Sequence, residues 1–284
     1  DETEIHNALN TAVLKKGPVH LNIRFKEPLY ETIDDFSVSL TPTEKSINVE
    51  FSDLEDIDEY ISIWNNAKRK MVLVGVNYPN QIEQEYLDVL ANDSSVIVFT
   101  ETTSNLHHNK FFPSIDKIIT PLSTEDLKEL QPDVLLTFGG MIVSKKVKAF
   151  LRKYQPNHHW HIDKKKANDT FFCLEKHFKT SVNDFFKVLF KNINQTNSNY
   201  QNYWQSVKQI RLKKHQQYLQ NIPFSDLKVF DLVLKRIPKH NMLQLANSTA
   251  VRYVQLFDIE KTLKVFCNRG TSGIDGSTST AIGA

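Results

Sequence analysis

The middle of the chain alternates between short apolar runs and segments whose apolar residues recur with helical spacing. The apolar runs predict buried strands at residues 71–76, 96–100 and 133–138, and residues 158–162 are predicted to form a further strand. The helical periodicity predicts helices at residues 54–67, 79–92, 123–130, 144–154 and 182–190. Since continuous apolar strands that alternate with helices are typical of a parallel sheet covered on both faces, residues 52–195 are predicted to form a doubly wound α/β domain.

Both ends of the chain carry incomplete patterns. Residues 4–16 predict a helix and residues 19–25 a strand, which is too little to fold alone, so residues 1–30 are assigned to the end of a preceding domain. The polar, proline-containing residues 31–51 are predicted to be a linker. An Asn- and Gln-rich boundary at 192–203 separates residues 196–284, for which we predict helices at 204–219, 224–237 and 248–256 and strands at 241–246 and 263–267. We read this last region as the truncated first part of another doubly wound domain, and the whole chain as a fragment.

Glycine is concentrated after the last predicted strand. The chain has eight glycines, and four of them follow residue 267: Gly270, Gly273, Gly276 and Gly283. We expect Asp275 or Ser277 to cap a helix of small residues at this point. Because a strand-to-helix turn presents backbone N–H groups at the carboxyl edge of a sheet, it favours anionic ligands.

The turn after strand 241–246 is a second candidate for anion binding. Asn247 or Ser248 occupies the N-cap position, and Arg252 lies one helical turn beyond Ser248. A guanidinium beside a helix N-terminus suits a carboxylate or a phosphate, and Arg269 could face the same crevice. The alternatives are a simple capping serine with a surface arginine, and an Arg269 that pairs with Asp275.

Composition narrows the possible partners and location. The chain has 35 basic and 33 acidic residues, so we expect no nucleic-acid partner, since binding phosphate backbones needs a concentrated basic face. No apolar run approaches about 18 residues, so we expect no membrane span. Cys173 and Cys267 have no CxxC spacing, which argues against a disulfide scaffold or a zinc site and favours a cytoplasmic location.

Three further features are predicted to be structural. In the segment 158–161, only His159 and His161 share a strand face, and neither a cysteine nor a carboxylate accompanies them within a few residues, so no metal site is predicted. The glycine pair at 139–140 lacks the GxGxxG spacing of a dinucleotide-binding turn, so no dinucleotide site is predicted there. Glu101 follows a predicted strand without an evident partner.

Three segments resemble a known enzyme family in order and spacing. The segment Asn268-Arg-Gly-Thr-Ser-Gly-Ile-Asp-Gly276 is similar to a motif of the 2-succinyl-5-enolpyruvyl-6-hydroxy-3-cyclohexene-1-carboxylate synthases, thiamine-diphosphate enzymes of menaquinone biosynthesis. Gly17-Pro-Val-His-Leu-Asn-Ile-Arg-Phe-Lys-Glu-Pro-Leu-Tyr30 resembles the end of the family's first domain, and Leu245-Ala-Asn-Ser-Thr-Ala-Val-Arg252 resembles the start of its third. These segments span nearly the whole chain, whereas residues 50–200 match only in pattern.

The resemblance implies an architecture and a site. The central domain would be flanked by the end of a pyrimidine-binding domain and the start of a diphosphate-binding domain, both partial α/β domains of the thiamine-diphosphate type. Ser248, Arg252 and Arg269 would hold carboxylates of 2-oxoglutarate, its succinyl adduct or isochorismate. Cofactor binding is assigned to Asn247, Gly273 and Ile274, with Ile274 packed beneath thiamine diphosphate.

The resemblance also implies a reaction that this chain alone does not complete. The parent enzyme, a transferase, would decarboxylate 2-oxoglutarate and add the succinyl-semialdehyde unit to isochorismate. The activating glutamate and the Mg²⁺ ligands would precede Asp1 and follow Ala284, so we assign no catalytic residue and no metal ligand here and expect the isolated chain to be inactive. The full-length protein would be a homodimer or homotetramer. Two alternatives remain, namely another thiamine-diphosphate decarboxylase or synthase for 2-oxo acids and a non-catalytic α/β binding module.

Overall fold

The computed structural model describes residues 2–15, 17–24, 30, 32, 54 and 56–284. The chain divides into two compact units, Asp1–Phe51 and Ser52–Ala284. In the first unit, α1 (Glu2–Lys15) buries none of its residues. The predicted strand at 19–25 is wrong for its described residues, since 19–24 form no strand, and a strand needs a paired neighbour for its backbone groups. The predicted linker at 31–51 lies outside the described residues, except for residue 32.

The second unit contains a five-stranded parallel sheet that confirms the predicted doubly wound fold. Its strands lie in the order β2-β1-β3-β4-β5. They are β1 (Lys70–Val74), β2 (Val96–Thr100), β3 (Val134–Phe138), β4 (His158–Ile162) and β5 (Lys176–Phe178). The sequence predicts the first four but not β5, because three residues, Lys, His and Phe, are too few to show a strand pattern. The order reverses between β1 and β3, where open α/β sheets form their ligand crevice.

Helices cover both faces of this sheet. Successive residues of β1 point to opposite sides, so Val72 belongs to one buried apolar cluster and Leu73 to the other. The first face carries α2 (Ile57–Asn66), α3 (Gln84–Asn92) and α7 (Val182–Leu189). The second face carries α4 (Ile115–Ile119), α5 (Thr124–Leu130) and α6 (Lys145–Lys153). Helix α3 begins later than predicted because Asn80, in the preceding turn, has φ +59°.

The last region adds a small second sheet. Its elements are α8 (Tyr200–Asn221), α9 (Asp226–Leu234), β6 (Met242–Leu245), α10 (Thr249–Val254), β7 (Lys264–Cys267) and α11 (Ser277–Gly283). Strands β6 and β7 pair in parallel and share a third apolar cluster with α9 and α10. Helix α8 starts before the predicted residue 204 because Tyr200 and Trp204 are buried in a cluster of the central sheet. Within the described parts of the chain, no helix has the length and apolar character needed to cross a membrane.

Candidate functional site

Asn247 joins the turn after β6 to the turn after β7. Its Nδ2 donates hydrogen bonds to the carbonyl oxygens of Asn268 and Gly273, both at 2.7 Å. Its Oδ1 accepts from Nη1 of Arg269 at 2.7 Å and from Sγ of Cys267 at 3.4 Å. The side chain is only 4% exposed, so it fixes the glycine-rich turn to the end of the neighbouring strand.

Arg269 is half-buried and only partly bonded. Its Nη1 donates to Asn247, but its Nε is buried and has no hydrogen-bond partner among the described residues. No ion pair links it to Asp275 within that part of the chain, although the sequence left such a pair as an alternative. Because a buried donor without a partner is costly, an anion that accepted from this guanidinium would be stabilised.

Ser248 and Arg252 lie open to solvent. Ser248 is the N-cap of α10, as predicted, with φ +66°, but its side chain caps no backbone N–H. Both side chains are exposed, and Arg252 makes no hydrogen bond or ion pair with any described residue. The structure therefore brings Arg269 and Gly273 together on Asn247, whereas the hydroxyl of Ser248 and the guanidinium of Arg252 stay outside that set of contacts.

The glycine-rich turn ends at α11 with a cap that differs from the predicted one. The N-cap is Gly276, with φ +73°, and neither Asp275 nor Ser277 takes that place. Glycine adopts this left-handed conformation without the steric cost of a Cβ, which explains the difference. Ile274 precedes the cap and is 73% exposed, so its apolar side chain lies on the surface of the turn.

A cavity of about 500 Å³ opens at the carboxyl ends of β1, β3 and β4 and extends to Arg269. Its wall also contains Lys165, Lys166 and the imidazoles of His159 and His161. Burial lowers the pKa of both imidazoles to about 4, so they are neutral near pH 7. The wall therefore carries the cations of the two lysines and of Arg269 against the carboxylate of Asp163, a net positive charge that favours an anionic occupant.

The histidines of β4 are arranged as predicted. Thr137 Oγ1 is 3.0 Å from Nε2 of His159 and 2.8 Å from Nδ1 of His161, so these two rings share one face. His158 turns away and bonds Glu175 at 2.8 Å. Sγ of Cys173 lies 3.9 Å from Nδ1 of His159, which the local sequence pattern did not reveal. Over residues that the structure describes, no three His, Cys, Asp or Glu side chains converge as a metal site would require.

The carboxylate of Glu101 has hydrogen-bond donors that the neighbouring sequence did not predict. Its two carboxylate oxygens accept hydrogen bonds from the backbone N–H groups of Val143 and Ser144, each at 2.7 Å. Burial raises the pKa of this carboxyl to about 7, although both hydrogen bonds act in the opposite direction. No local spacing could have identified partners that lie more than 40 residues away.

Comparison with known proteins gives a consistent picture. A family model described as "Middle domain of thiamine pyrophosphate" matches residues 50–245. The 2-succinyl-5-enolpyruvyl-6-hydroxy-3-cyclohexene-1-carboxylate synthase of Flavobacterium psychrophilum is 51% identical over 284 residues, which are 100% of this chain and 51% of that protein. The synthase of the same name from Flavobacterium johnsoniae is 52% identical over 285 residues, again 100% of this chain and 51% of the relative.

A solved structure is also similar. It is a putative thiamin diphosphate-dependent enzyme from Mycobacterium smegmatis, with a TM-score of 0.49 and 11% identity, covering 86% of this chain and 47% of that one. The chain spans about half the length of the curated relatives it matches, 51% in both flavobacterial cases. Its resemblance to the synthases, first seen in three short motifs, thus extends over the full 284 residues.

Proposed function

This chain belongs to the family of thiamine pyrophosphate middle domains, and from that premise we propose that it is the central part of a thiamine-diphosphate-dependent transferase. The full-length protein decarboxylates 2-oxoglutarate and adds the succinyl-semialdehyde unit to isochorismate in menaquinone biosynthesis. This assignment is supported by the names of two relatives that match the whole chain at 51% and 52% identity. In this assignment residues 1–30 end the pyrimidine-binding domain, 31–51 link it to the central domain at 52–195, and 196–284 begin the diphosphate-binding domain.

The observation that carries the substrate assignment is the hydrogen bond between Asn247 and Arg269. It places a partly unsatisfied guanidinium beyond the carboxyl end of β7, next to the turn of Ser248 that leads into α10 with Arg252. Both proposed substrates are dicarboxylates, and guanidinium groups bind carboxylates with two parallel hydrogen bonds. Ser248, Arg252 and Arg269 thus bind and orient the substrate carboxylates, and their role in the reaction is electrostatic.

The turn at 268–276 also suits the proposed cofactor. Nδ2 of Asn247 donates to the carbonyl oxygen of Gly273 and so fixes the position of Gly273. Ile274, which follows Gly273, has an exposed apolar side chain on which an aromatic ring can pack. Thiamine diphosphate, when bound, supplies the nucleophilic carbon for the decarboxylation. The family resemblance supports placing the Mg²⁺ ligands and the activating glutamate in other parts of the full-length protein.

Three further points belong to this proposal. The full-length protein is a cytoplasmic homodimer or homotetramer, as expected for active sites that form between two subunits. The chain of 284 residues, produced by itself, has no synthase activity, because it lacks the groups just assigned to other parts of the protein. Turnover of 2-oxoglutarate with isochorismate by the purified chain would contradict this last point.

The decisive experiment uses the full-length protein with Arg269→Met and, separately, Arg252→Met. Each change is expected to raise the KM for 2-oxoglutarate or isochorismate at least about tenfold, since a charge-assisted hydrogen bond contributes about 1.5–3 kcal/mol. Arg236→Met is the matched control, because Arg236 is exposed and bonds only the backbone of its own helix region. If the wild-type full-length protein prefers another 2-oxo acid, it is a different thiamine-diphosphate enzyme. If it turns over no 2-oxo acid, the binding-module alternative is favoured.

A further inference from the structure

The side chain of Asn105 binds the backbone of β7 as a neighbouring strand would. Its Oδ1 accepts from the N–H of Val265 at 2.8 Å, and its Nδ2 donates to the carbonyl oxygen of the same residue at 2.9 Å. Both residues are buried, and 160 positions separate them in the sequence. Strand β7 pairs on its other edge with β6, so the amide of Asn105 occupies the place of a further strand.

Asn105 is itself held at the carboxyl edge of the central sheet. Its Nδ2 also lies 2.8 Å from the carbonyl oxygen of Asn77, just after β1. The turn that precedes it is fixed by Ser104, whose Oγ donates to the carbonyl oxygen of Val74 at 2.8 Å and accepts from the N–H of Glu101 at 2.9 Å. Residues 101–105, which we call the β2 turn, therefore link β7 to the ends of β1 and β2 by hydrogen bonds. This is the first route by which the central sheet fixes the last region of the chain.

The β2 turn holds α10 by a second route. The carboxylate of Glu101 binds the backbone of Val143 at 2.7 Å, and the side chain of Val143 is 4% exposed. That side chain belongs to the third apolar cluster together with Val251 and Val254 of α10. Among the described residues, Val143 is the member of this cluster that comes from the region of the central sheet, so Glu101 fixes the point at which α10 packs on the central domain.

These two routes end at the residues to which substrate binding is assigned. Arg269 lies two residues beyond the end of β7, and Arg252 lies on α10. We propose that Asn105 and Glu101 are positioning residues of the substrate site, which act through β7 and α10 and do not touch the substrate. This inference rests on the proposed function of Arg269 and Arg252. It gives the central domain a role in the reaction, since its sheet sets the position of the arginines.

The test uses the full-length protein with Asn105→Gly. Asn105 has φ +50°, and glycine keeps this backbone conformation while it removes the amide. Asn80→Gly is the matched control, because Asn80 is exposed and has φ +59°. Asn105→Asp is a milder variant that keeps the acceptor for Val265 and loses the donor, and it serves if Asn105→Gly does not fold.

Two readouts separate positioning from a merely structural role. Hydrogen–deuterium exchange in residues 263–270 is expected to rise at least about tenfold in Asn105→Gly and to stay unchanged in Asn80→Gly. The KM for 2-oxoglutarate is expected to rise about tenfold in Asn105→Gly, and in the double variant with Arg269→Met the two losses in kcat/KM should not multiply. Unchanged exchange in 263–270, or losses that multiply, would overturn the inference.

The two proposals can fail separately. If Arg269→Met alone leaves kcat/KM unchanged, the proposed function of that residue fails, whatever Asn105→Gly does. If Arg269→Met lowers kcat/KM while Asn105→Gly matches the Asn80→Gly control, the proposed function is unaffected and the positioning role of Asn105 is wrong.

Discussion

Oδ1 of Asn247 and Nη1 of Arg269 lie 2.7 Å apart, so a residue two positions beyond β6 orients the guanidinium two positions beyond β7. The same amide uses its two N–H groups on the turn that contains Gly273. An asparagine is suited to this place because it combines one acceptor for the arginine with two donors for backbone carbonyls. The geometry of the proposed site therefore depends on the amide as a whole and not on its oxygen alone.

Asn247→Asp should destabilise the chain although it retains an acceptor for Arg269. The carboxylate has no donor for the carbonyl oxygens of Asn268 and Gly273, so two buried hydrogen bonds are lost. We expect the free energy of unfolding in urea to fall by about 2–3 kcal/mol. Asn241→Asp, at an exposed position with the same change of charge, should have little effect, and equal values for both variants would contradict the role of Asn247.

The buried carboxyl of Glu101 should make stability depend on pH. Burial raises its pKa from 4.5 to about 7, so the folded state holds this proton more tightly than the unfolded state does. The contribution of this group to stability is then highest below about pH 4.5 and falls by about 3 kcal/mol as the pH rises through 7. Glu101→Gln should remove this slope in urea titrations at several pH values, and the exposed Glu125→Gln should not; parallel curves for wild type and Glu101→Gln would exclude the effect.

The imidazoles of β4 should act in the opposite sense at lower pH. Burial lowers the pKa of His161 from 6.5 to about 4, so the unfolded chain takes up protons first as the pH falls. Stability from this group is present above pH 6.5 and is lost towards pH 4, by up to about 3 kcal/mol. His161→Gln should reduce the acid-induced loss, measured by urea unfolding across this range. The exposed His20→Gln serves as the control and should keep the wild-type acid sensitivity.

Gly75→Ala should be strongly destabilising because the ends of β1 and β3 approach closely. A Cβ at Gly75 would lie 1.9 Å from the carbonyl oxygen of Gly140, which is backbone and cannot rotate away. We expect a loss of about 3 kcal/mol in unfolding free energy. Gly270→Ala has nothing within 4 Å of the added carbon, and a similar loss there would show that the contact with Gly140 is not the cause.

Ile274→Ala should separate cofactor binding from folding. The side chain is 73% exposed, so the unfolding free energy of the chain should change by less than about 0.5 kcal/mol. In the full-length protein the affinity for thiamine diphosphate should fall about tenfold, since apolar contact area with the ring is lost. Ile282→Ala, at a side chain that is 83% exposed, provides the comparison in the same calorimetric titration, and the same affinity in both variants would exclude the role of Ile274.

The sequence predicts the elements whose stability is local and misses those that depend on distant partners. Strands β1 and β2 are recognisable because each contains a continuous apolar run flanked by helical periodicity. Strand β5 consists of three residues that pair with β4, and only the neighbouring strand makes it a strand. The predicted strand at 19–25 is the converse case, since its residues are apolar enough but 19–24 form no strand.

The candidate site shows the same limit. The sequence predicts where the candidate site lies from the spacing of Ser248 and Arg252 and from the glycines of the last turn. It can do so because the conformation of a turn depends on residues that are neighbours in the sequence. The hydrogen bonds of Asn247 reach residues more than 20 positions away, and those of Asn105 cross 160 positions. Nothing in a single sequence distinguishes such an asparagine from one exposed on a loop.

The bond between Asn105 and Val265 has a consequence for treating the central domain as an interchangeable module. A chimera that replaced residues 52–195 by the counterpart from a relative would exchange Asn105 but keep β7, and so would separate the two partners of this contact. Such a graft retains its docking only if the donor supplies an amide at the same point of the β2 turn. A functional exchange would therefore have to transfer the central sheet together with β7, the strand that is hydrogen-bonded to the β2 turn.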